Sequence, residues 1–307
     1  MAKQAMVIVN PASANGKTRI NWPDIKKCLE TEGLEFDFSS TTCRSEATYF
    51  AREALHKGYD AIISVGGDGT LNEIINGFFE NGQMINSSAK LGIIAGGTGG
   101  DFIRTLGYPK NYKEACNIIA RGQTKLIDLG KLEYFDHKEQ LTTNYYINIA
   151  GFGLDGAVVD RVNHTSKFFG GFVSFLYGTI AGLAQFRSFS LTLEVDGQLA
   201  YQGPATMAAV ANGQYFGGSM QIAPAAVLDD GILEIVIVKG MKKLKLLRCL
   251  PTIYGGTHII KPEVICLQGT KVKATSPDRV LLEIDGEQPG LLNAEFTILP
   301  KALNIIV

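Results

Sequence analysis

The sequence predicts two domains, a Rossmann-like α/β domain followed by a predominantly antiparallel β-sandwich domain. The chain has 307 residues, which is about twice the usual size of a single domain. Its first part alternates short apolar runs with helix-period patterns, as expected for a parallel sheet with crossover helices. Beyond about Asp128 the pattern consists mainly of short strands. We therefore place the domains at residues 1–128 and 129–307.

The α/β domain is predicted to begin with a strand and then to alternate helices with strands. Apolar residues with a helical period indicate the helices, as in Leu71, Ile75 and Phe78, and Ser45 is predicted to be the N-cap of the second helix. The predicted strands are Met6–Val9, Phe36–Phe38, Ala61–Val65 and Leu91–Ala95. The predicted helices end near Gly33, Gly58, Phe79 and Gly122.

The β domain is predicted from short runs of strand composition with turn residues such as Asp196-Gly197 between them. The predicted strands are Tyr145–Ala150, Leu191–Val195, Thr206–Ala211, Ile232–Val238, Lys271–Ala274, Val280–Ile284 and Phe296–Leu299.

Composition and charge argue against several classes of protein. The 29 basic and 30 acidic residues give a net charge of −1, so no general field attracts nucleic acid. The five cysteines and four histidines are scattered, which is typical of a reducing compartment and gives no local support to a zinc site. The apolar run before Asn10 is too short for a signal peptide. We expect a cytoplasmic protein that binds no nucleic acid.

One uncharged stretch, Phe168–Phe186, has the length of a membrane span. It contains four glycines and several polar residues, and it lies between strand-like segments without a second crossing. Three interpretations stay open: a buried helix, which we favour, a helix that lines an acyl-chain pocket, and a membrane span.

Two glycine-rich loops follow predicted strands, and the first contains Gly66-Gly67-Asp68-Gly69-Thr70. In an open α/β sheet this edge binds ligands, and the amides at a helix start can receive a phosphate. Phosphate oxygens would repel the Asp68 carboxylate unless a cation lay between them. The loop therefore indicates a metal-bearing polyphosphate, and the alternative is a turn in which Asp68 caps the helix.

The second loop, Ala95–Asp101, repeats the arrangement of strand, glycines and aspartate, and Arg104 follows it. Asp101 and Arg104 share a face of a helical turn, where they can hold a metal or phosphate or pair with each other. Two familiar phosphate-binding motifs do not fit the chain. A Walker A loop requires glycine where the chain has Pro11, and the dinucleotide fingerprint fails at Phe102, which argues against a dehydrogenase.

Motifs along the whole chain resemble those of the diacylglycerol kinase catalytic family, which includes bacterial soluble lipid kinases. In the first domain they are Asn10–Ala14, GGDGTLNEIING (Gly66–Gly77) and GTGGDFIR (Gly97–Arg104). In the second domain they are Asn148–Asp155, Ala211–Met220, Pro224–Gly231 and Asp285–Glu287. GGDGT is shared with the NAD kinases, whereas Asn72-Glu73 and Asp229-Asp230-Gly231 favour the lipid kinases. The resemblance implies an NAD kinase/diacylglycerol kinase-like fold.

The resemblance also implies a lipid kinase that uses ATP and Mg²⁺. Asp68 and Asp101 match acidic positions near the phosphates and the catalytic magnesium, and Glu287 matches the acceptor of the lipid hydroxyl proton. Asp230, with the backbone carbonyls of Val227 and Ile232, matches a structural magnesium site. The positions that match ATP-binding residues are Asn10, Pro11, Ala12, Ser13, Ala14, Thr41, Gly66, Gly67, Asp68, Gly69, Thr70, Leu71, Asn72 and Thr98.

The chain departs from the family at Gly100, where the G-T-x-N-D-F motif has asparagine. If that amide orients the aspartate or a phosphate, its loss weakens catalysis. A nucleotide-binding protein with weak activity is therefore one alternative, and an NAD kinase-like enzyme is another. The expected partner is a lipid at the membrane surface, reached by peripheral contact. The identity of the lipid and the formation of a homodimer stay open.

A basic and apolar segment follows the fourth predicted strand of the β domain. No acidic residue occurs from Ile235 to Pro262. The segment can form a helix that rests on anionic lipid or a solvated helix face beside the core, and the second interpretation is favoured. Its basic residues are Lys242, Lys243, Lys245 and Arg248, and its leucines are Leu244, Leu246, Leu247 and Leu250.

Overall fold

The computed structural model describes residues 5–96, 100–154, 156 and 188–307. They form two compact units, one of Met1–Ile127 with Lys301–Val307 and one of Asp128–Pro300. The sequence-based limits differ from these units, because they assign the whole of 129–307 to the second domain. The site residue Thr98 and the stretch Phe168–Phe186 lie outside the described residues. Within the described part of the chain, every helix is too short or too polar to cross a bilayer.

The first unit is built on a parallel sheet whose strands alternate with helices, which confirms the predicted α/β fold. Its strands are β1 (Ala5–Val9), β2 (Phe36–Ser40), β3 (Ala61–Gly66), β4 (Phe79–Glu80), β5 (Gln83–Met84), β6 (Lys90–Ala95) and the end of β18 (Gly290–Ile306). Its helices are α1 (Lys17–Thr31), α2 (Glu46–His56), α3 (Asp68–Gly77), α4 (Asp101–Leu106) and α5 (Tyr112–Arg121). The order in the sheet is β2-β1-β3-β6-β18, and β4 and β5 form a separate hairpin.

The start of α2 differs from the prediction. Ser45 lies at the N-cap position, but its φ is +67° and its side chain makes no capping bond among the described residues. Glu73 accepts the N–H of Ala47 in the first turn instead. Glu46, the first residue of α2, accepts the N–H groups of Thr42 and Cys43, which precede the helix. A carboxylate near a helix N-terminus is favoured by the helix dipole, so Glu73 takes the place of the serine cap.

The second unit is antiparallel, which confirms the predicted β-rich domain. Its strands are β7 (Thr124–Asp136), β8 (Leu141–Tyr146), β9 (Ile149–Gly153), β10 (Phe189–Val195), β11 (Gln198–Ala211), β12 (Tyr215–Phe216), β13 (Met220–Gln221), β14 (Leu233–Lys239), β15 (Val264–Gly269), β16 (Lys271–Thr275), β17 (Leu282–Ile284) and most of β18. The long strand β11 pairs with β10, β9 and β14. Helix α6 (Lys243–Tyr254) and a 3-10 turn (Thr257–Ile260) connect β14 to β15.

Several features of the second unit differ from the sequence-based elements. The predicted strand Tyr145–Ala150 is divided, because β8 ends at Tyr146 and β9 begins at Ile149. Strand β7 was not predicted. Strand β15 was not predicted either. Among the described strands it pairs only with β14, at the edge of the sheet, and most of its residues are partly exposed. An edge strand of this kind lacks the clear apolar pattern of a buried strand.

Candidate active site

The carboxyl ends of four parallel strands in the first unit bring together residues that the sequence singled out. Thr41 follows β2 and donates its backbone N–H to Val9 at the end of β1, over 2.8 Å. Asn10 follows β1 and donates its N–H to Val65 in β3, over 2.9 Å. Gly96 follows β6 and donates its N–H to Gly66, over 2.7 Å. Ligands of open α/β sheets bind at this edge, so these residues form the candidate nucleotide site.

Asn10 connects the turn after β1 to the first turn of α3. Its Nδ2 donates to the Thr70 hydroxyl over 2.9 Å, and its Oδ1 accepts from the backbone N–H of Ala12 over 3.1 Å. The Ser13 hydroxyl donates to the Asn10 carbonyl over 2.9 Å. These bonds hold the segment Asn10–Ala14 in one conformation and place it beside the glycine-rich turn.

The turn between β3 and α3 exposes the start of a helix. Gly67 precedes the helix, and Asp68 is the first helical residue rather than the cap, so the alternative in which Asp68 caps α3 is wrong. The N-cap residue, Gly67, has no side chain that could cap the helix. A Cβ atom on Gly66 would lie 2.6 Å from the Thr70 hydroxyl oxygen, so the close packing requires glycine. The first-turn amides of α3 lack acceptors within the helix and can therefore bind an anion.

The two glycine-rich loops meet at Asp68. Its Oδ2 accepts the backbone N–H of Gly100 over 3.1 Å. Gly100 has a left-handed backbone and directly precedes α4, whose first residue is the buried Asp101. The first loop thus lies beside the second, and both candidate acidic residues of the first unit follow loops at the same edge. A small concavity there is lined by Ser64, Gly66, Gly67, Asp68, Leu71, Ile93, Ala95, Gly100 and Ile103.

The other motif residues of α3 have structural contacts. Asn72 is buried, and its backbone and side-chain oxygens accept hydrogen bonds from the Asn76 amide. Glu73 caps α2 through Ala47, and its carbonyl accepts from the Thr48 hydroxyl over 2.8 Å. The Asn72-Glu73 pair therefore anchors the helix that carries Asp68 at its start.

In the second unit, Glu287 is held by a tight hairpin turn. Its N–H and carbonyl bond to the carbonyl and N–H of Ile284, over 2.9 and 2.8 Å. The two residues between them, Asp285 and Gly286, have φ values of +45° and +92°. Positive φ at both central positions is typical of a type I′ turn, which is favoured by an Asp-Gly pair. The turn fixes the backbone at Glu287, whose side chain is half-buried.

The Asp285 carboxylate accepts hydrogen bonds from three consecutive backbone amides. It accepts the N–H groups of Ile147, Asn148 and Ile149 over 3.0, 3.2 and 2.9 Å. Ile147 and Asn148 lie between β8 and β9, and Ile149 is the first residue of β9. The carboxylate therefore takes the place of a strand partner and explains why the predicted strand is divided. Burial, and next the charge of Asp285, raise the pKa of Tyr146 well above its usual value, so this tyrosine stays neutral.

Two fully buried polar residues connect this segment to the loop that contains Asp230. Asn212 donates its Nδ2 to the carbonyls of Ile147 and Asp128, over 2.7 and 3.0 Å. The Asp128 carboxylate accepts the N–H of Gly231 over 2.7 Å. Sequence reasoning missed Asp128, although a lone acid in the apolar run Leu126-Ile127-Asp128-Leu129 was a usable signal, since a buried carboxylate needs hydrogen-bond donors.

The candidate structural magnesium site consists of oxygen donors in one loop. Asp230 is exposed, and its Oδ1 accepts the N–H of Ile232 over 3.0 Å, which folds the carboxylate back on the loop. Val227 is also exposed. Carboxylate and carbonyl oxygens are the donors that Mg²⁺ prefers, and Mg²⁺ commonly keeps several water ligands. The donor set therefore fits this ion, although no group of three His, Cys, Asp or Glu side chains in the described residues is arranged for a metal.

Comparison with known proteins shows where the chain belongs. Residues 4–132 match the diacylglycerol kinase catalytic domain, and residues 148–307 match the YegS C-terminal NAD kinase beta sandwich-like domain. A diacylglycerol kinase of Bacillus subtilis is 30% identical over 99% of this chain and 96% of its own length. A crystal structure of a candidate diacylglycerol kinase from Bacillus anthracis has a TM-score of 0.78 at 25% identity, covering 99% of this chain and 97% of that one.

An NAD kinase from Archaeoglobus fulgidus, solved in complex with ATP, has a TM-score of 0.52 at 12% identity and covers 99% of this chain and 94% of its own. This likeness concerns the fold alone. The diacylglycerol kinase of Bacillus subtilis, at 30% identity over nearly the full length, is therefore much more similar in sequence than the NAD kinase at 12%. The chain therefore belongs to the diacylglycerol kinase family of lipid kinases.

Proposed function

We propose that the chain transfers the γ-phosphoryl group of ATP to a hydroxyl group of a membrane lipid, and that it requires Mg²⁺. The observation that supports this most directly is the hydrogen bond between Asp68 and Gly100, which joins two glycine-rich loops and a carboxylate at the start of a helix. Diacylglycerol is the acceptor to test first, because it is named for the Bacillus subtilis relative. The lipid would be reached by peripheral contact with the membrane.

The first unit would bind the nucleotide. The amides at the start of α3 would donate to phosphate oxygens, and the turn from Asn10 to Ala14 and the residue Thr41 would complete the site. Asp68 and Asp101 would hold Mg²⁺, which would neutralise negative charge on the transferred group. The bond of Asp68 to Gly100 fixes one carboxylate oxygen, so this side chain is oriented before the ligand binds.

The second unit would supply the base and the structural ion. The lipid hydroxyl oxygen forms a bond to the γ-phosphorus while the bond from that phosphorus to ADP breaks, and the hydroxyl proton passes to the Glu287 carboxylate. The tight turn at Asp285-Gly286 would keep Glu287 in position. Asp230, with the carbonyls of Val227 and Ile232, would hold a second, structural Mg²⁺.

A transfer assay with two acceptors tests the proposal. The protein is incubated with γ-labelled ATP and Mg²⁺, with diacylglycerol in mixed micelles in one reaction and NAD in another. We expect label in the lipid, none in NAD, and loss of transfer on chelation of the metal. In Asp68→Asn, kcat should fall by about a hundredfold or more. Asp24→Asn, an exposed change on α1, is the matched control and should leave kcat unchanged.

The outcomes separate the alternatives. Label in the NAD product would identify an NAD kinase-like enzyme. Binding of ATP without transfer to any lipid would identify a weakly active nucleotide-binding protein. Full transfer by Asp68→Asn would contradict the assignment of Asp68, and circular dichroism of each variant would show that the fold is retained.

A further inference from the structure

Helix α6 presents leucines to solvent on the side opposite its buried face. Leu246 and Ile253 point inward, with exposures of 5% and 6%, and belong to the cluster that includes Met207 and Met220. At about 100° per residue, Leu244 lies on the opposite side of the helix. It is 62% exposed, and Leu247 is 46% exposed. This is the side of a helix that usually carries polar residues when it faces only water.

Basic residues flank the exposed leucines along the helix and at its N-cap. We use the name α6 surface for the exposed residues Lys242, Lys243, Leu244, Leu247 and Arg248.

The segment that contains the α6 surface is positively charged. From Ile235 to Pro262 the chain contains six basic residues, Lys239, Lys242, Lys243, Lys245, Arg248 and Lys261, and no acidic residue. The next acid, Glu263, forms an ion pair with Lys245, and this bond lowers the pKa of Glu263, so the carboxylate stays ionised. Lys242, Lys243 and Arg248 are exposed beside the leucines.

We propose that the α6 surface docks on an anionic lipid bilayer, with Leu244 and Leu247 entering the interface and Lys242, Lys243 and Arg248 contacting anionic head groups. Exposed leucines between basic residues fit a partner that is apolar beneath a negative surface. A second copy of the chain fits less well, because a two-fold contact would bring the basic residues against one another. The inference rests on the proposed function, since a lipid acceptor is presented by a membrane.

Vesicle sedimentation tests this docking without turnover. The full chain is mixed with vesicles of phosphatidylcholine alone or of phosphatidylcholine with phosphatidylglycerol. We expect binding to the anionic vesicles only, weakened by salt. In Leu244→Ser/Leu247→Ser the partition coefficient should fall by about tenfold or more, because two apolar side chains no longer enter the interface. The matched control is Leu141→Ser/Leu199→Ser, which removes two leucines that are 69% and 61% exposed elsewhere in the second unit.

Several results would overturn the docking proposal. One is equal binding to neutral and anionic vesicles, and another is an equal fall of the partition coefficient in the two double variants. A third is a smaller sedimentation coefficient of Leu244→Ser/Leu247→Ser than of the wild type in the absence of lipid, which would identify a contact between copies. Matching thermal midpoints would exclude unfolding as the cause. Binding by a wild-type protein that phosphorylates no lipid would refute the proposed function and leave the docking standing. Turnover in mixed micelles without binding to vesicles would refute the docking and leave the proposed function standing.

Discussion

One carboxylate oxygen of Asp68 lies 3.1 Å from the backbone nitrogen of Gly100 and accepts its hydrogen. Gly100 therefore contacts the candidate metal ligand through the main chain alone. Its backbone has φ +63° and ψ +43°, a left-handed conformation that glycine and asparagine adopt more readily than other residues. The asparagine expected at this position from the resemblance and the glycine of this chain thus suit the same backbone.

We predict that Gly100→Asn folds and keeps the transfer activity, because the bond to Asp68 requires only the backbone N–H. A Cβ atom would lie 3.1 Å from the Ile103 side chain, so that side chain must shift slightly, and we expect the free energy of unfolding to change by no more than about 1 kcal/mol. In Gly100→Val the free energy of unfolding should fall by about 2 kcal/mol or more, since a β-branched residue is strained at this φ. Urea unfolding and the transfer assay check both. Inactivation of Gly100→Asn would show that this chain needs glycine itself.

We predict that Glu287→Gln lowers kcat by about a hundredfold or more, because an amide cannot accept the hydroxyl proton. The turn Ile284–Glu287 is closed by backbone bonds, which this substitution leaves in place. ATP affinity, measured by calorimetry, should therefore stay at the wild-type value. Weaker ATP binding with kcat preserved would contradict the role of Glu287 as the base.

The hairpin turn that carries Glu287 depends on Asp285, and a second Asp-Gly turn provides a control. Asp196 also has positive φ, and its exposed carboxylate accepts the N–H groups of Thr270 and Lys271 over 3.0 and 2.9 Å. We expect Asp285→Asn to lower the free energy of unfolding by about 2–4 kcal/mol, because three partly buried amides lose a charged acceptor. Asp196→Asn should lower the free energy of unfolding clearly less, since water can reach the N–H groups that Asp196 accepts. Equal losses in urea unfolding would argue against this account.

The parallel sheet and its ligand-binding edge could be predicted because the signals are local. Leu71, Ile74 and Ile75 lie on the buried face of a single helix, and each glycine-rich loop directly follows its own strand. Residues close in sequence carry both signals, so periodicity and turn composition are enough to detect them. The same reasoning placed Asp68 and Asp101 after neighbouring strands, but it could not show that Asp68 bonds to Gly100.

The parts that could not be predicted depend on contacts between distant residues. The division of the strand at Ile147 results from Asp285, which is 138 residues away, and a period-two pattern carries no sign of it. The end of β18 joins the parallel sheet of the first unit by pairing Asn304 with Lys90. Its sequence resembles any other strand, so only the tertiary structure shows which sheet it completes.

We predict that the protein loses stability in mild acid because His258 is buried. It is 2% exposed, its Nε2 lies 3.0 Å from the Ile222 carbonyl, and burial lowers its pKa below the usual 6.5. The unfolded chain therefore takes up a proton near pH 6.5 that the folded chain does not. Stability is full above that pH and declines as the pH falls toward the folded pKa, by at most about 1.4 kcal/mol per pH unit. The carboxylates with lowered pKa, such as Glu46, lower the free energy of unfolding further only below about pH 4.5.

Urea unfolding from pH 7 to 5 tests the role of His258. The free energy of unfolding should fall with pH in the wild type and in the exposed control His137→Gln, but not in His258→Gln. A slope that persists in His258→Gln would assign the proton uptake to another group.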